Sequence, residues 1–428
     1  MRYENLSKAE LTILLTELEA NYAEAAGKGL KLDMSRGKPS PEQLDLSNGL
    51  FDAGKNYVSE DGTDCRNYGG LTGIMEAQNL FAEFMDVPAE NVIINGNSSL
   101  TVMYDMISRS MTHGVMENPP WCRLEKIKFL CPVPGYDRHF SITEHFGIEL
   151  IPVPMTETGP AMDIVEKLVS EDASVKGIWC VPKYSNPQGI SYSDETVRRF
   201  AALQPAAADF RIYWDNAYSV HHFDEEDHDE ILNLFHECEK AGHPDLLYIF
   251  CSFSKISFAG ASISATIASE ANLDFIKKLM VPQTIGPDKL NMLRHIDFFG
   301  NMAGVKAHMK KHAAILWPKF ALVLDKLAQG IGGLGIGTWI TPKGGYFISF
   351  EAMPGCAKAI IALCKGAGVT MTDAGATYPY RLDPNDSNIR IAPSFPTADG
   401  LGQAMDLFVL CVKLASVRKL LADGQDEC

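Results

Sequence analysis

The feature that most constrains the fold is a regular alternation of short β-rich runs with helical stretches from about residue 75 to residue 285. The seven runs cover residues 92–94, 127–130, 148–153, 175–181, 210–214, 246–250 and 263–268. Strands that alternate with helices are typical of βαβ units, in which helices cover both faces of a parallel sheet. The sequence therefore predicts an α/β fold whose large domain holds a mostly parallel, seven-stranded sheet sandwiched by helices.

The pattern changes beyond about residue 285. A long helical region (288–329) precedes short strand-like runs at 338–340, 346–350 and 388–391 and a closing helix. At the other end of the chain, Ser7 and Glu10 form a capping box that starts an N-terminal helix. We expect a large domain at residues 50–297 and a smaller α+β domain made of residues 1–49 and 298–428.

Composition narrows the class of protein. The 428 residues carry 38 basic and 54 acidic side chains, a formal charge of −16, which disfavours binding to nucleic acid or to anionic membranes. No apolar run approaches the roughly 18 residues that span a bilayer. The ten cysteines are scattered without a C-x-x-C pair, and no secretory leader is evident, so reduced, mostly buried thiols and a cytoplasmic protein are expected.

Polar side chains end three neighbouring β-rich runs. Lys255 closes the segment Cys251-Ser252-Phe253-Ser254-Lys255, and Asp215 and Asn186 follow earlier runs. Because parallel strands end at the same edge of a sheet, we expect these groups to form one site. The hydroxyls of Ser252 and Ser254 are suited to hold a phosphate beside an imine. Lys255 is therefore predicted to be a Schiff-base lysine.

Asp215 and Asn186 each have a structural alternative. A carboxylate at a buried strand end needs a cationic partner, and a protonated ring nitrogen of a cofactor would supply one, with Tyr218 donating to an adjacent phenolic oxygen. Asp215 could instead cap a helix. Pro187 and Gly189 surround Asn186 with turn-forming residues, so its amide either points into the crevice or belongs to a plain turn.

Two further motifs fit the same site. Asn97, Ser98 and Ser99 lie between a strand and a helix, where backbone N–H groups and hydroxyls can bind phosphate, although an ordinary helix cap has the same composition. Tyr136 follows the strand at 127–130 and either stacks on a flat heterocycle or packs in the core.

Other classes of protein are less well supported. Residues 330–335 match G-x-G-x-x-G, but a helix precedes them and a strand follows, the reverse of the order in nucleotide-binding oxidoreductases. His221, His222 and the acidic run after them suggest a metal hydrolase. Adjacent histidines point to opposite sides of an extended chain, however, and no spacing matches a metal triad, so no metal site is predicted.

Together these motifs resemble those of fold-type I pyridoxal-phosphate aminotransferases. The resemblance covers nearly the whole chain, from Ser35-Arg36-Gly37-Lys38-Pro39 to Ile389-Arg390-Ile391-Ala392-Pro393-Ser394. The amino-acid sequences of these motifs are most similar to those of a divergent bacterial group of aspartate aminotransferases. The resemblance implies that pyridoxal 5'-phosphate is the cofactor.

The resemblance also implies roles for individual residues. Lys255 would bind the cofactor, Asp215 would pair with the pyridinium nitrogen, and Asn186 and Tyr218 would hydrogen-bond the phenolic oxygen. Tyr136 would stack on the ring. The phosphate would be held by Asn97, Ser98, Ser252 and Ser254.

Further positions match the family's substrate and subunit contacts. Tyr68 matches a tyrosine that reaches the phosphate from the partner subunit, which implies a homodimer. Arg390 matches the arginine that binds the substrate α-carboxylate, for which a planar guanidinium is well suited. Gly37 falls where the family's N-terminal segment lies over the substrate.

The sequence departs from the family at two positions. Most relatives carry a phosphate-binding arginine about eight residues after the lysine, and here Ser257 and Ser262 are the candidates to replace it. The second substrate arginine, which binds a side-chain carboxylate, has no unambiguous match. Arg36, Lys289 and Arg294 are the candidates, but for each of them the sequence favours an exposed surface charge.

The implied activity is ping-pong transamination between an amino acid and a 2-oxo acid. The expected reaction converts L-aspartate and 2-oxoglutarate to oxaloacetate and L-glutamate. A different amino donor, or β-elimination by a lyase of the same fold, would use the same lysine, aspartate and arginine. A non-enzymatic regulator that senses the cofactor would need an attached DNA-binding region, whereas the chain starts with the helix at Ser7.

Overall fold

The computed structural model describes residues 2–426, with side chains through residue 424. Its strands are β1 (Leu32–Asp33), β2 (Val92–Asn95), β3 (Lys128–Val133), β4 (Glu149–Thr156), β5 (Gly159–Pro160), β6 (Val175–Cys180), β7 (Arg211–Asp215), β8 (Leu247–Ser252), β9 (Ser264–Ala268), β10 (Gly337–Trp339), β11 (Ile348–Ala352), β12 (Val369–Thr370) and β13 (Asn388–Ile391). Its helices are α1 (Lys8–Gly27), α2 (Pro41–Asp45), α3 (Met75–Met85), α4 (Ser99–His113), α5 (Asp137–His145), α6 (Met162–Glu171), α7 (Asp194–Ala201), α8 (Leu234–Ala241), α9 (Glu270–Met280), α10 (Lys289–Phe299), α11 (Met302–Ile331), α12 (Ala357–Gly366) and α13 (Ala398–Asp426).

All seven predicted runs become strands of one central sheet. Its order is β2-β9-β8-β7-β6-β3-β4-β5, and the five strands from β8 to β4 are mutually parallel. β9 runs antiparallel to both of its neighbours. The eighth strand, β5, pairs antiparallel with β4 at the edge. It was not predicted because two residues, one of them proline, carry no periodic signal. The α/β fold with a mostly parallel sheet is confirmed.

Both faces of the central strands are covered, as expected for a parallel sheet between helices. Ile178, Ile212 and Ile249 point into one apolar cluster, whereas their sequence neighbours Trp179 and Tyr213 point into another. This alternation follows from the two-residue period of a strand. The sheet is therefore a rigid platform whose carboxyl edge can carry a site.

A separate apolar cluster lies around the antiparallel sheet β10-β11-β13 and is packed by α1, α12 and α13. The long helix α11 contributes to both cores: Val305 lies in the core of the large sheet, and Val323 lies in the second. The capping box of Ser7 and Glu10 is present at the start of α1. The boundaries 50–297 and 298–428 stay a prediction.

By length and hydropathy, residues 398–424 of α13 would qualify as a membrane span. However, 67% of the most apolar window is buried inside the protein. α13 packs against α1, α11 and α12. It therefore serves as a core helix in this fold.

The cysteines are distributed as single thiols. Within residues 2–426 all nine cysteines are free, and all but Cys122 are buried. Cys428 lies outside the described residues. The buried thiols behave as small apolar side chains in the two cores.

Candidate active site

The carboxyl edge of the sheet brings together the three polar groups that the sequence singled out. Asp215 is the last residue of β7, Lys255 lies on the turn after β8, and Asn186 follows β6. Asp215 and Asn186 are each 4% exposed, and Lys255 is partly buried. The Nζ atom of Lys255 lies 5.0 Å from the centroid of the Tyr218 ring. An amine, a carboxylate, an amide and a phenol therefore share one crevice.

Asp215 is held on one side by a histidine that sequence reasoning missed. His139, in the first turn of α5, places its Nε2 atom 2.9 Å from Asp215 Oδ2. The imidazole is itself fixed by stacking on Trp179, with ring centroids 4.5 Å apart and planes 16° apart. The other carboxylate oxygen, Oδ1, is buried and has no hydrogen-bond partner in the described part of the chain. Since an unpaired buried acceptor is costly, Asp215 is suited to a donor from outside the chain.

Burial changes the acid–base properties of the crevice. It lowers the pKa of the Lys255 ammonium, and the nearby Asp215 carboxylate opposes that shift. Burial, together with the neighbouring Tyr136 and Asp215, raises the pKa of Tyr218, so this phenol stays protonated and can donate a hydrogen bond. The site therefore combines an amine that can lose its proton with a phenol that keeps it.

Arg390, on β13, faces the same crevice and is 7% exposed. Its Nη1 atom donates to Asp137 Oδ1 at 2.8 Å and to Asn186 Oδ1 at 3.2 Å. Its Nε atom is buried without a partner among the side chains that the structure describes. The guanidinium lies 4.9 Å from the centroid of the Phe347 ring. A buried guanidinium that retains an unpaired donor is suited to bind a carboxylate.

The N-terminal segment covers this arginine. Gly37 packs against Phe347 so closely that a Cβ atom at position 37 would overlap the ring. The Thr372 hydroxyl donates to the Ser35 carbonyl at 2.7 Å and also lies 3.4 Å from Arg390 Nη2. Gly37 is therefore near the predicted substrate pocket, and only glycine allows this approach. Arg36 next to it is exposed.

The predicted phosphate cradle lies at the start of α4. Ser99 is the first helical residue, and Ser98 occupies the N-cap position, where its side chain makes no capping hydrogen bond to any described residue. The Ser254 hydroxyl donates to the Asn97 carbonyl at 3.1 Å, and Ser252 is the last residue of β8. The helix N-terminus and the hydroxyls before Lys255 are therefore neighbours, an arrangement that can bind a phosphate.

The two serines proposed to replace the missing arginine are already engaged. Ser257 is fully buried, with its Oγ atom 2.9 Å from His295 Nε2. Ser262 is 2% exposed and donates to the Ile263 carbonyl at 3.1 Å. Neither hydroxyl is presented to solvent, so these contacts disfavour both candidates.

Tyr68 lies on an irregular loop, and the cationic candidates Lys289 and Arg294 lie on α10. The Tyr68 side chain is 83% exposed on a loop whose carbonyls at Asn67 and Gly69 accept hydrogen bonds from Lys289 Nζ at 2.8 and 2.7 Å. Lys289 is 4% exposed, so its ammonium holds this loop. Arg294 is exposed on α10.

Comparisons with known proteins agree with this geometry. The family model for aspartate amino-transferase matches residues 6–424. An aspartate aminotransferase of Corynebacterium glutamicum is 45% identical over 403 residues, which cover 94% of this chain and 93% of the relative.

Solved structures extend the comparison. The crystal structure of an aspartate transaminase from C. glutamicum superposes with a TM-score of 0.95 at 42% identity and covers 98% of this chain and 99% of its own. The α-aminoadipate aminotransferase LysN of Thermus thermophilus, complexed with N-(5'-phosphopyridoxyl)-L-leucine, has a TM-score of 0.74 at 18% identity and shares the fold, covering 93% of this chain and 95% of its own. The chain therefore belongs to the aspartate aminotransferase family and is a fold-type I aminotransferase related to the bacterial aspartate aminotransferases.

Proposed function

We propose that this enzyme transfers the amino group of L-aspartate to 2-oxoglutarate with pyridoxal 5'-phosphate as cofactor. The observation that carries the proposal is the meeting of the buried Asp215 carboxylate and the partly buried Lys255 amine at the carboxyl edge of the sheet. The family membership implies the cofactor, and the C. glutamicum relative's name supports aspartate as the donor.

The residues present fit the cofactor. Asp215 Oδ1 is a buried acceptor without a partner in the described chain, as a protonated ring nitrogen would require. Tyr136, whose ring lies 4.8 Å from that of His139, lines a cavity together with Asn186 and can cover a flat ring. Bound there, pyridoxal phosphate would supply an electron sink for the negative charge that develops at the substrate Cα.

The side chains then have separate tasks. Arg390 binds the substrate α-carboxylate and so orients the Cα–H bond. The Lys255 amine, whose pKa burial lowers, takes the proton from Cα as a general base. Tyr218 would donate a hydrogen bond to the phenolic oxygen of the cofactor, because burial raises the pKa of Tyr218 and keeps its hydroxyl protonated. The phosphate would be held at the start of α4 by Asn97, Ser98, Ser99, Ser252 and Ser254.

We further propose a homodimer in which Tyr68 of each chain completes the site of its partner. An aromatic side chain that is 83% exposed, on a loop held by a buried lysine, is suited to contact a second subunit. The amino-acid and 2-oxo-acid substrates would bind between Arg390 of one chain and Tyr68 of the partner subunit.

Half-transamination followed by cofactor absorbance tests the donor assignment. The purified enzyme is mixed with a panel of amino acids in the absence of any oxo acid. Aspartate and glutamate should convert the cofactor fastest. In separate steady-state assays with both substrates, double-reciprocal plots at several fixed concentrations of the second substrate should be parallel. Faster conversion by aromatic donors or by alanine would refute the assignment to aspartate.

Hybrid dimers test the partner assignment. The Lys255→Ala and Tyr68→Ala variants should each lose most activity, because each homodimer lacks one essential group in both sites. Mixing the two subunits should restore activity, since one site of each hybrid then has both residues. Two variants that do not complement each other would contradict a shared site.

A further inference from the structure

Three consecutive residues that begin with the proposed cofactor lysine are each met by a buried imidazole. We call Lys255, Ile256 and Ser257 the lysine turn. The contacts are His221 Nε2 to the Lys255 carbonyl at 3.4 Å, His308 Nε2 to the Ile256 carbonyl at 3.0 Å, and His295 Nε2 to Ser257 Oγ at 2.9 Å. The three histidines are 2%, 5% and 0% exposed, respectively. They come from the loop after β7, from α11 and from α10.

The partners determine the proton positions on these rings. A carbonyl only accepts, so His221 and His308 carry the proton on Nε2. The Nδ1 atom of His295 lies 2.8 Å from the Asn291 carbonyl and must donate to it, which leaves Nε2 to accept from the Ser257 hydroxyl. Burial lowers the pKa of all three imidazoles, which favours the neutral rings that this pattern requires.

The imidazole on α11 is anchored in turn by the N-terminal segment. Ser47 Oγ and His312 Nε2 each lie 3.1 Å from His308 Nε2, where they share its single N–H with the Ile256 carbonyl, the nearest acceptor. On the other side of His312, Gln43 Nε2 lies 3.0 Å from Nδ1 and also donates to Tyr346 Oη at 2.9 Å. The lysine turn is thus connected to a polar cluster that is closed to solvent, and this limits the positions that its backbone can adopt.

We propose that His221, His295 and His308 form a histidine cradle that fixes the lysine turn and thereby the position of the Lys255 amine. The inference rests on the proposed function, since the position of this amine matters only if Lys255 carries the cofactor and moves the proton. A lysine stem has four rotatable carbons, so the origin of the side chain must be set by its backbone. These histidines are positioning residues: they contact the turn and not the substrate.

The test uses the His308→Leu variant, which removes the donor to the Ile256 carbonyl, with His308→Gln as the conservative replacement. His222→Leu is the matched control, because His222 is the sequence neighbour of His221 and stacks on His228 away from the turn. Hydrogen exchange is measured in cofactor-free protein at the amides of Ile256 and Ser257, which donate to the Phe253 carbonyl at 2.9 and 2.8 Å. Acetylation of Lys255 across pH, read by mass spectrometry of the same protein, gives the pKa of its amine.

In His308→Leu we expect exchange at these two amides to rise about tenfold or more, because local opening becomes easier. The pKa of Lys255 should rise toward its ordinary value as the amine gains solvent. In the holoenzyme, kcat should fall about 10- to 100-fold with KM changed less than about threefold, as expected when a catalytic group is misplaced. His308→Gln should recover most of each effect, and His222→Leu should match the wild type.

Ser257→Ala gives a second test that changes side-chain volume little and removes the partner of His295. It should raise exchange at the same amides and shift the Lys255 pKa in the same direction. Wild-type exchange and an unchanged Lys255 pKa in Ser257→Ala and His308→Leu, or equal effects in His222→Leu, would overturn the cradle. Because both readouts are made without cofactor, they stand apart from the proposed function: a protein that shows them and never transaminates would refute only the latter.

Discussion

Replacing Arg390 with lysine should weaken substrate binding while leaving the cofactor in place. Arg390 Nη1 holds both Asp137 and Asn186, and its buried Nε atom has no partner within the described residues. A lysine ammonium can replace a single point contact, but it lacks the planar fork that binds a carboxylate with two parallel hydrogen bonds. The variant keeps the positive charge, so the change tests geometry and not net charge.

The size of the effect follows from the number of hydrogen bonds lost. One charge-assisted hydrogen bond to the substrate carboxylate is worth about 1.5–3 kcal/mol. At about 1.36 kcal/mol for each factor of ten, kcat/KM should fall about 10- to 150-fold. The fall should come mainly from KM, because the carboxylate is bound in the ground state as well as in the transition state.

Steady-state kinetics of Arg390→Lys with aspartate and with 2-oxoglutarate measure this effect. Arg418→Lys is the control, since Arg418 forms a half-exposed ion pair with Glu19 at 2.9 Å, and exposed pairs contribute little. Cofactor absorbance should be unchanged in both variants. A loss in kcat/KM below about threefold, or a loss explained by missing cofactor, would refute the role given to Arg390.

Three further predictions concern catalysis and stability. Lys255→Ala should abolish turnover, and borohydride should no longer fix the cofactor to the chain, whereas Lys278→Ala, an exposed lysine on α9, should behave as wild type. The Lys176 ammonium is buried and lies 2.6 Å from the Asp209 carboxylate. Asp209→Ala removes this partner and should lower the free energy of unfolding by about 3–5 kcal/mol in urea titrations. Asp209→Asn should lower the free energy of unfolding by less. Burial lowers the pKa of His312 from 6.5 to about 3, so the unfolded chain takes up a proton at higher pH than the folded chain does. The free energy of unfolding should therefore fall as pH drops from about 6.5 toward 3. In His312→Gln it should fall less steeply with pH, and equal pH slopes in the variant and the wild type would contradict this role of His312.

The residues at the strand ends show which part of the site could be predicted from the sequence. Each of the seven β-rich runs carries its own local signal, and parallel strands must end at one edge, so the meeting of Asn186, Asp215 and Lys255 could be predicted without coordinates. The capping box at Ser7 is equally local. The two-residue strand β5 has no such signal, since its pairing depends on where β4 lies.

The two serines considered as replacements for the missing arginine show what sequence spacing leaves open. Ser257 and Ser262 lie at the right distance along the chain from Lys255, but the structure turns both hydroxyls into buried contacts. The backbone conformation of a residue determines where its hydroxyl points. On an irregular turn, this conformation cannot be read from the spacing of residues in the sequence. Lys289 is a similar case: its charge suggested a substrate contact, whereas its ammonium holds the carbonyls of Asn67 and Gly69.

Local patterning thus determined the α/β class, the order of the strands along the chain and the identity of the groups at the sheet edge, because strand period and turn chemistry depend on near neighbours. Tertiary structure alone decided that His139 supports Asp215, that Gly37 lies on Phe347 beside Arg390, and that histidines from three elements meet the lysine turn. These contacts join residues up to hundreds of positions apart. Their distances depend on how sheet, helices and N-terminal segment pack, and no short window of sequence contains that information.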